Sequence, residues 1–425
     1  MKLSNLPPKG MYDWFPKEYK IRKYIFDTWR SVCTSYGYEE YLTPTLENAD
    51  VYRAKSGEDI GGKELMVFKD KVGRELALRP EMTPSVTRML SRKINELPKP
   101  IRYFSIANFF RNEKPQKGRN REFWQLNFDI FGDSSLNADL EVLQIAIEIM
   151  LAFNPPKGSF KLFINNRKLI DYIVKSFGIS DTSKVDIIRT LDKIGKISKE
   201  DIEEKLLNLG IEENTVSKIY KIFSSENEEL FIREFPEIEE SDVYKDTLKI
   251  FSFLESLGYS EYVEFKPSLM RGFDYYDGLI FEVFDTNKEN PRAMFGGGRY
   301  NGLSEIFGVA PFSAVGAAPG DETLRLFIKN WNLEQNIIEI KEDVYFLPVL
   351  DKKLYFKTLE IAKKLRKEGK VVVQELNKKS LRDALDTANK RGYKYTVIFG
   401  EYELKDGVYK IKNMESGEEN SVKYS

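Results

Sequence analysis

At 425 residues, with 41% hydrophobic and 31% charged content, the chain is long enough for about two or three domains with ordinary apolar cores. Its formal charge of −1 excludes a protein coated in positive charge, yet leaves room for a local basic groove. No histidine and a single cysteine, Cys33, exclude histidine-based triads, imidazole or thiolate metal sites and intrachain disulfides, so acid–base work falls to carboxylates, lysines, tyrosines or the substrate.

From the N-terminus, MKLSNLPPKG lacks the apolar segment of a secretory signal, and no run reaches the length of a membrane span; a cytoplasmic protein is expected. YKIRKYIFDTWRSVCTSYGY carries apolar residues at helical spacing and ends near Gly37. EYLTPTLE reads as extended, with Pro44 at an edge, a bulge or a strand start. In LALRPEMTPSVTRML a strand ends at Arg79-Pro80, and Thr83 followed by Pro84 reads as a helix N-cap and first-turn pair. IRYFSIANFF and FWQLNFDIFG alternate like strands on either side of a basic loop. Residues 170–257 change character to short amphipathic helices heavy in Lys and Glu, such as KVDIIRTLDKIGK and DTLKIFSFLESLGY. They read as a helical insertion in a mixed α/β core formed by residues 1–169 and 258–330. Strand and helix signals then alternate from DVYFLPVL through YTVIFG to GVYKIKNM, which predicts a small separate α/β domain over 340–425.

Arg111, Lys114, Lys117, Arg119 and Arg121 crowd into the basic loop, interrupted by Gly118. Guanidinium forks match phosphate oxygens, and Phe123 can stack on a base; the same run also fits a solvated hairpin tip. The second strand keeps Gln125, Asn127 and Asp129 in register opposite Trp124, Leu126, Phe128 and Ile130. Either bulk water or a binding site accounts for such a polar face. Arg111 ends a run too apolar for a free surface strand, and Glu113 shares its parity. In LMRGFDYYDGLIFEV, Arg271, Asp274, Tyr275 and Tyr276 precede a buried-looking strand. Arg271 can clamp a carboxylate or phosphate, while the tyrosines are either ligand partners or core aromatics with hydroxyls at the rim. The glycines of FGGGRYNGL permit close approach to a ligand or tight sheet packing. Glu81 and Thr83, at a helix start, can together hold an ammonium group.

Taken together these segments resemble the histidyl-tRNA synthetases, a family of class II aminoacyl-tRNA synthetases, along essentially the whole chain. LPPKGMYDWFP is similar to the family's N-terminal segment, GYEEYLTPTLE resembles class II motif 1, and FFRNEKPQKGRNREFWQLNFD resembles motif 2 with its loop. RGFDYYDGLIFE and FGGGRYNGL resemble the two histidine-specific signatures. The resemblance implies an α+β catalytic domain on an antiparallel sheet with a helical insertion, followed by an anticodon-binding α/β domain. It implies that histidine is activated with ATP, assisted by Mg²⁺, and transferred to histidine tRNA by a homodimer built through motif 1, with residues 38–46 as a pairing edge. By the same resemblance Glu81, Thr83 and Gln125 hold the α-amino group, and Asp129, Tyr275 and Tyr276 surround the imidazole. Arg111 contacts the α-phosphate, Glu113 reads the adenine amino group, Arg119 grips the γ-phosphate and Phe123 stacks on adenine. Arg271 lies beside the reacting carboxylate, and Gln116 touches the acceptor end of the tRNA.

The sequence departs from the family where motif 3 ends: Thr323 stands at the position usually held by an arginine that packs on the nucleotide. Arg325 faces the same side only if that stretch is extended, and Arg299 is a second candidate substitute. Trp124 stands where the family often has histidine. Two rivals are a regulatory histidine-binding paralogue of histidine biosynthesis, which would need neither nucleotide site nor anticodon domain, and a nucleic-acid-binding module without catalysis. The second leaves Glu81, Gln125, Asp129 and Tyr276 without a role.

Overall fold

The computed structural model describes residues 3–54, 56, 59–179, 184–195, 197–225, 227–270, 275–337 and 343–424. The chain falls into two compact units, Met1–Ile337 and Ile338–Ser425.

In the first unit the strands are β1 (Glu39–Glu40), β2 (Leu46–Asn48), β3 (Met66–Lys69), β4 (Glu75–Leu78), β5 (Ile101–Phe110), β6 (Glu122–Phe131), β7 (Phe160–Asn166), β8 (Val263–Phe265), β9 (Leu279–Asp285), β10 (Ala293–Arg299) and β11 (Ala314–Ala317). Helices α1 (Pro16–Ser35), α2 (Ala49–Arg53), α3 (Thr83–Ser91) and α4 (Leu136–Leu151) precede a helical stretch. That stretch comprises α5 (Arg167–Ser176), α6 (Lys184–Leu191), α7 (Lys199–Asn208), α8 (Glu213–Phe223), α9 (Glu228–Glu234) and α10 (Asp242–Ser256), and α11 (Asp321–Asn330) closes the unit.

Among the described residues, eight strands form one sheet in the order β1-β5-β6-β11-β10-β9-β7-β8, and β2-β4-β3 make a small second sheet. The interior of the large sheet is antiparallel, centred on the ten-residue β5–β6 ladder that runs from Ile101 opposite Phe131 to Phe110 opposite Glu122. Both edges differ from a purely antiparallel sheet: β1 runs parallel to β5, and β8 parallel to β7. Long excursions separate these pairs, and only such crossovers can join parallel neighbours.

The strand period of two sorts side chains onto two cores. Leu126, Phe128 and Ile130 of β6 join Ile25, Phe26 and Trp29 of α1, Val142 and Ile147 of α4, and Leu324 and Phe327 of α11 on one face. Ala107 and Phe109 of β5 join Val86 and Leu90 of α3 and the helical stretch on the other. α1 forms because Pro16 sits in its first turn and Ile25, Phe26, Trp29 and Cys33 recur on one buried stripe; Gly37, at φ 77°, turns the chain out of it.

The second unit carries β12 (Val344–Val349), α12 (Tyr355–Lys367), β13 (Val371–Lys378), α13 (Leu381–Arg391), β14 (Tyr395–Ile398), α14 (Glu401–Lys405), β15 (Val408–Asn413) and β16 (Glu419–Lys423). The sheet order is β13-β12-β14-β15-β16, parallel among the first three strands and antiparallel beyond. Ile361 and Leu365 of α12 pack with Leu347, Val397 and Tyr409, while Ala384 and Ala388 of α13 pack with Phe346 in a separate cluster. Among the described residues no helix is long and apolar enough to cross a membrane.

Candidate active site

A cavity of about 780 Å³ opens in the first unit on the sheet face opposite α1 and α4. Phe123, Gln125, Asn127 and Asp129 of β6 line it, while Leu126, Phe128 and Ile130 point into the core behind. The polar parity of that strand is therefore a cavity wall. Arg111 and Glu113, just past the end of β5, line the cavity too, as do Glu81, Thr83, Arg119, Tyr275 and Tyr276.

At one end stands Asp129, which accepts a hydrogen bond from the Tyr300 hydroxyl at 2.7 Å. Burial pushes its carboxyl up to about 7, and the Tyr300 hydroxyl works against that rise. Tyr275, Tyr276 and Tyr300 cluster around it, with ring centroids 4.9 to 6.5 Å apart. Space for this group comes from glycines. A Cβ on Gly316, which pairs with Asp129 across β6 and β11, would lie 1.9 Å from Asp129 Oδ1. One on Gly298 would lie 2.8 Å from the Tyr276 ring and 2.4 Å from Leu279 O. The glycine run thus serves tight sheet packing and the seat of Tyr276.

Glu81, buried where β4 leads into α3, accepts from the Tyr275 hydroxyl at 2.9 Å. Gln125 donates through Nε2 to Ala318 O at 3.3 Å, which leaves its amide oxygen as an acceptor. Thr83 departs from the sequence expectation. α3 begins at Thr83 itself, Met82 holds the N-cap position and no side-chain cap bond forms; Thr83 hydrogen-bonds to Tyr275 instead. The cavity won the hydroxyl that the helix end would otherwise have used.

The other end is cationic. Arg111 Nε donates to Pro80 O at 3.2 Å, and its guanidinium lies 5.0 Å over the Phe123 ring. Burial pulls the Arg111 guanidinium down, while Glu64, Glu81 and Glu113 nearby push it back up. Phe123 is itself backed by Phe109, at 5.9 Å. Arg119 pairs with Glu113 at 2.9 Å, and the backbones of Gln116 and Arg119 close a tight turn that leaves Gln116 exposed at the loop tip. Arg271 and Asp274 lie outside the described residues.

Neither candidate substitute for the motif 3 arginine reaches the cavity. Residues 321–330 are helical, so Arg325 pairs with Glu322 at 2.9 Å and stacks near Trp14. Arg299 is buried and spent on Asp139 at 2.8 Å, Asp133 O at 2.9 Å and Ser135 O at 3.0 Å. Thr323 lines the cavity with its hydroxyl bonded to Met294 O. The residues sequence reasoning missed are Tyr300 and Arg292, both cavity-lining. A glycine-flanked strand end was the available signal for Tyr300; nothing in the local pattern singled out Arg292. Among the described residues no group of three or more Asp, Glu or Cys side chains could hold a metal ion.

A largely antiparallel sheet that carries paired carboxylates and tyrosines at one end of a cavity and loop arginines at the other is the architecture of the class II aminoacyl-tRNA synthetases. The sequence profile described as histidyl-tRNA synthetase matches residues 10–323, and that described as anticodon binding domain matches 343–425. A histidine--tRNA ligase of Leptospira biflexa is 38% identical, covering 100% of this chain and 96% of that protein. One of Pyrococcus furiosus is 36% identical, covering 98% and 96%. The crystal structure of histidyl-tRNA synthetase from Nostoc sp. PCC 7120 superposes with a TM-score of 0.76 at 24% identity, over 99% of this chain and 97% of that one, and so shares the fold. The chain belongs to the histidyl-tRNA synthetase family.

Proposed function

We propose that the protein is a histidine--tRNA ligase that condenses histidine with ATP to histidyl-adenylate and then esterifies the 3′ end of histidine tRNA. One observation carries the reading: a single cavity holds Asp129 with its tyrosine donor at one end and Arg111 and Arg119 at the other. Neutral imidazole offers one N–H and one nitrogen acceptor. Asp129 accepts the N–H, and the Tyr276 hydroxyl donates to the second nitrogen, since the Tyr275 hydroxyl is given to Glu81. An apolar amino acid would leave Asp129 buried and without a ligand donor, so it is rejected. Glu81, Thr83 and the Gln125 amide oxygen receive the ammonium group.

Adenylation pushes two anions together: a carboxylate oxygen bonds to the α-phosphorus and pyrophosphate leaves. Fixed positive charge at that point is the main requirement. Arg111 supplies it from just past β5 and Arg271 from the signature before β9; Arg119 holds the γ-phosphate, while Phe123 and Glu113 hold adenine. No protein base is needed for a carboxylate already ionised, which suits a chain without histidine. Mg²⁺ would arrive with ATP, since among the described residues no group of three or more acidic side chains could hold it, and it would there neutralise phosphate charge. In the transfer step a ribose hydroxyl attacks the carbonyl carbon, its proton passes to the adenylate phosphate, and AMP leaves. Gln116, at the exposed loop tip, touches the acceptor end, and residues 343–425 read the anticodon. The active form is a cytoplasmic homodimer paired near β1, an edge strand of the large sheet; Leu42 in the segment after β1 and Leu46 at the start of β2 are exposed nearby in sequence.

Histidine-dependent ATP–pyrophosphate exchange tests the reading. Exchange with histidine and not with apolar amino acids supports it. Histidine binding without exchange would favour a regulatory paralogue, and neither would end both accounts.

A further inference from the structure

The nucleotide end of the cavity lacks a cation at position 323, and Thr323 cannot act as a donor to a ligand without giving up Met294 O at 2.7 Å. The wall beside it is completed by Arg292, one residue ahead of β10, which lines the same cavity. One arm of this guanidinium is anchored: Nη2 donates to Gln116 Oε1 at 2.8 Å. Gln116 is in turn tied to Arg119 by two backbone bonds of 3.0 and 2.8 Å, so Arg292, Gln116 and Arg119 form one cluster. The other arm, Nη1, is buried and has no hydrogen-bond partner among the described residues. Neighbouring loop cations are engaged by carboxylates, Lys117 by Glu289 and Arg119 by Glu113, each at 2.9 Å; among the described residues Arg292 has only the neutral amide of Gln116. A buried N–H of a charged group without an acceptor is costly unless a ligand supplies one. A planar fork held by one arm points the other in a fixed direction, and the natural acceptor for it is a phosphate oxygen.

We propose that Arg292 binds the terminal phosphate of ATP together with Arg119, and supplies from the start of β10 the positive charge that position 323 does not provide. This rests on the nucleotide reading above. Arg292 reaches the cluster from a different element than the motif 3 helix, so the cation has moved in sequence while staying in the cavity.

The test is histidine-dependent exchange by the full-length protein and its Arg292→Ala and Arg292→Lys variants, with AMP as a competitor that lacks the phosphate tail. Arg292→Ala should raise the KM for ATP by about tenfold or more, with the KM for histidine and inhibition by AMP each within about twofold. Arg292→Lys should recover part of the loss, because it keeps the charge without the fork, and it carries the comparison if the alanine variant does not fold. An unchanged KM for ATP in Arg292→Ala, or in Arg292→Lys should the alanine variant not fold, overturns the proposal. So does an equal weakening of ATP and AMP, which would mark Arg292 as a mere anchor of the loop. A wild-type protein without exchange would instead defeat the nucleotide reading itself.

Discussion

Asp129→Asn separates what the cavity does for its ligand from what it costs the fold. Burial raises the Asp129 carboxyl from an ordinary 3.8 to about 7. At 1.36 kcal/mol per pH unit that is about 4 kcal/mol against the ionised form once it is fully deprotonated. The folded state therefore keeps the proton up to about pH 7, whereas the unfolded chain releases it near pH 3.9, so the folded state binds more protons in between. Stability consequently falls as pH rises through that window, the reverse of a salt-bridged carboxylate. Asparagine is neutral throughout and keeps an oxygen for the Tyr300 hydroxyl. The variant should match wild type near about pH 4 and exceed it by about 2–4 kcal/mol above about pH 7. The assay is the difference in thermal unfolding midpoint between the two proteins across that range, in the absence of ligand. The same change removes the charge that accepts the imidazole N–H, so the KM for histidine should rise by about tenfold or more while that for ATP stays within about twofold. A difference in midpoint that does not vary with pH, or a wild type that is the more stable protein above pH 7, would refute the reasoning.

Tyr300→Phe removes the donor that holds the Asp129 carboxyl down, so that carboxyl should rise further. The wild-type kcat/KM for histidine should climb through about pH 7 as Asp129 ionises, and in the variant this limb should move to higher pH; an unmoved limb contradicts the pairing. Gly316→Ala places a methyl 1.9 Å from Asp129 Oδ1 and 2.5 Å from Phe128 O. Exchange should fall at least about tenfold with a lowered melting temperature, and a wild-type KM for histidine would show that the floor is not as tight as drawn. Removing residues 338–425 takes away one compact unit. Exchange by the remaining folded unit should stay within about threefold while tRNA charging is lost; comparable loss of both in a folded protein would contradict separate roles.

The wall of the site was legible because a strand repeats every second residue. Gln125, Asn127 and Asp129 could share only one face, and the apolar set between them had to occupy the other. The long helix α1 was legible from its apolar spacing and from Gly37. Thr83 was not, because local rules see a helix start and a hydroxyl but not Tyr275, which arrives from nearly two hundred residues away. Arg325 and Arg299 illustrate the same limit: residue type marks both as candidates, and only tertiary partners, Glu322 for one and Asp139 for the other, show that they are already spent. β16 escaped notice because its exposed sequence ENSVK lacks apolar alternation and is held by backbone pairing with β15. The parallel edge strands β1 and β8 are too short, at two and three residues, to carry any periodic signal.

The Asp129–Tyr300 pair at the cavity floor has a spectroscopic consequence. The polypeptide contributes no imidazole of its own. In a complex made with isotope-labelled free histidine, every ring-nitrogen resonance would come from the bound amino acid, with no background to subtract and no residue to mutate away. Such spectra would read out directly which ring nitrogen carries the proton and whether, as the solution is acidified, that proton settles on the ring or on the buried carboxyl.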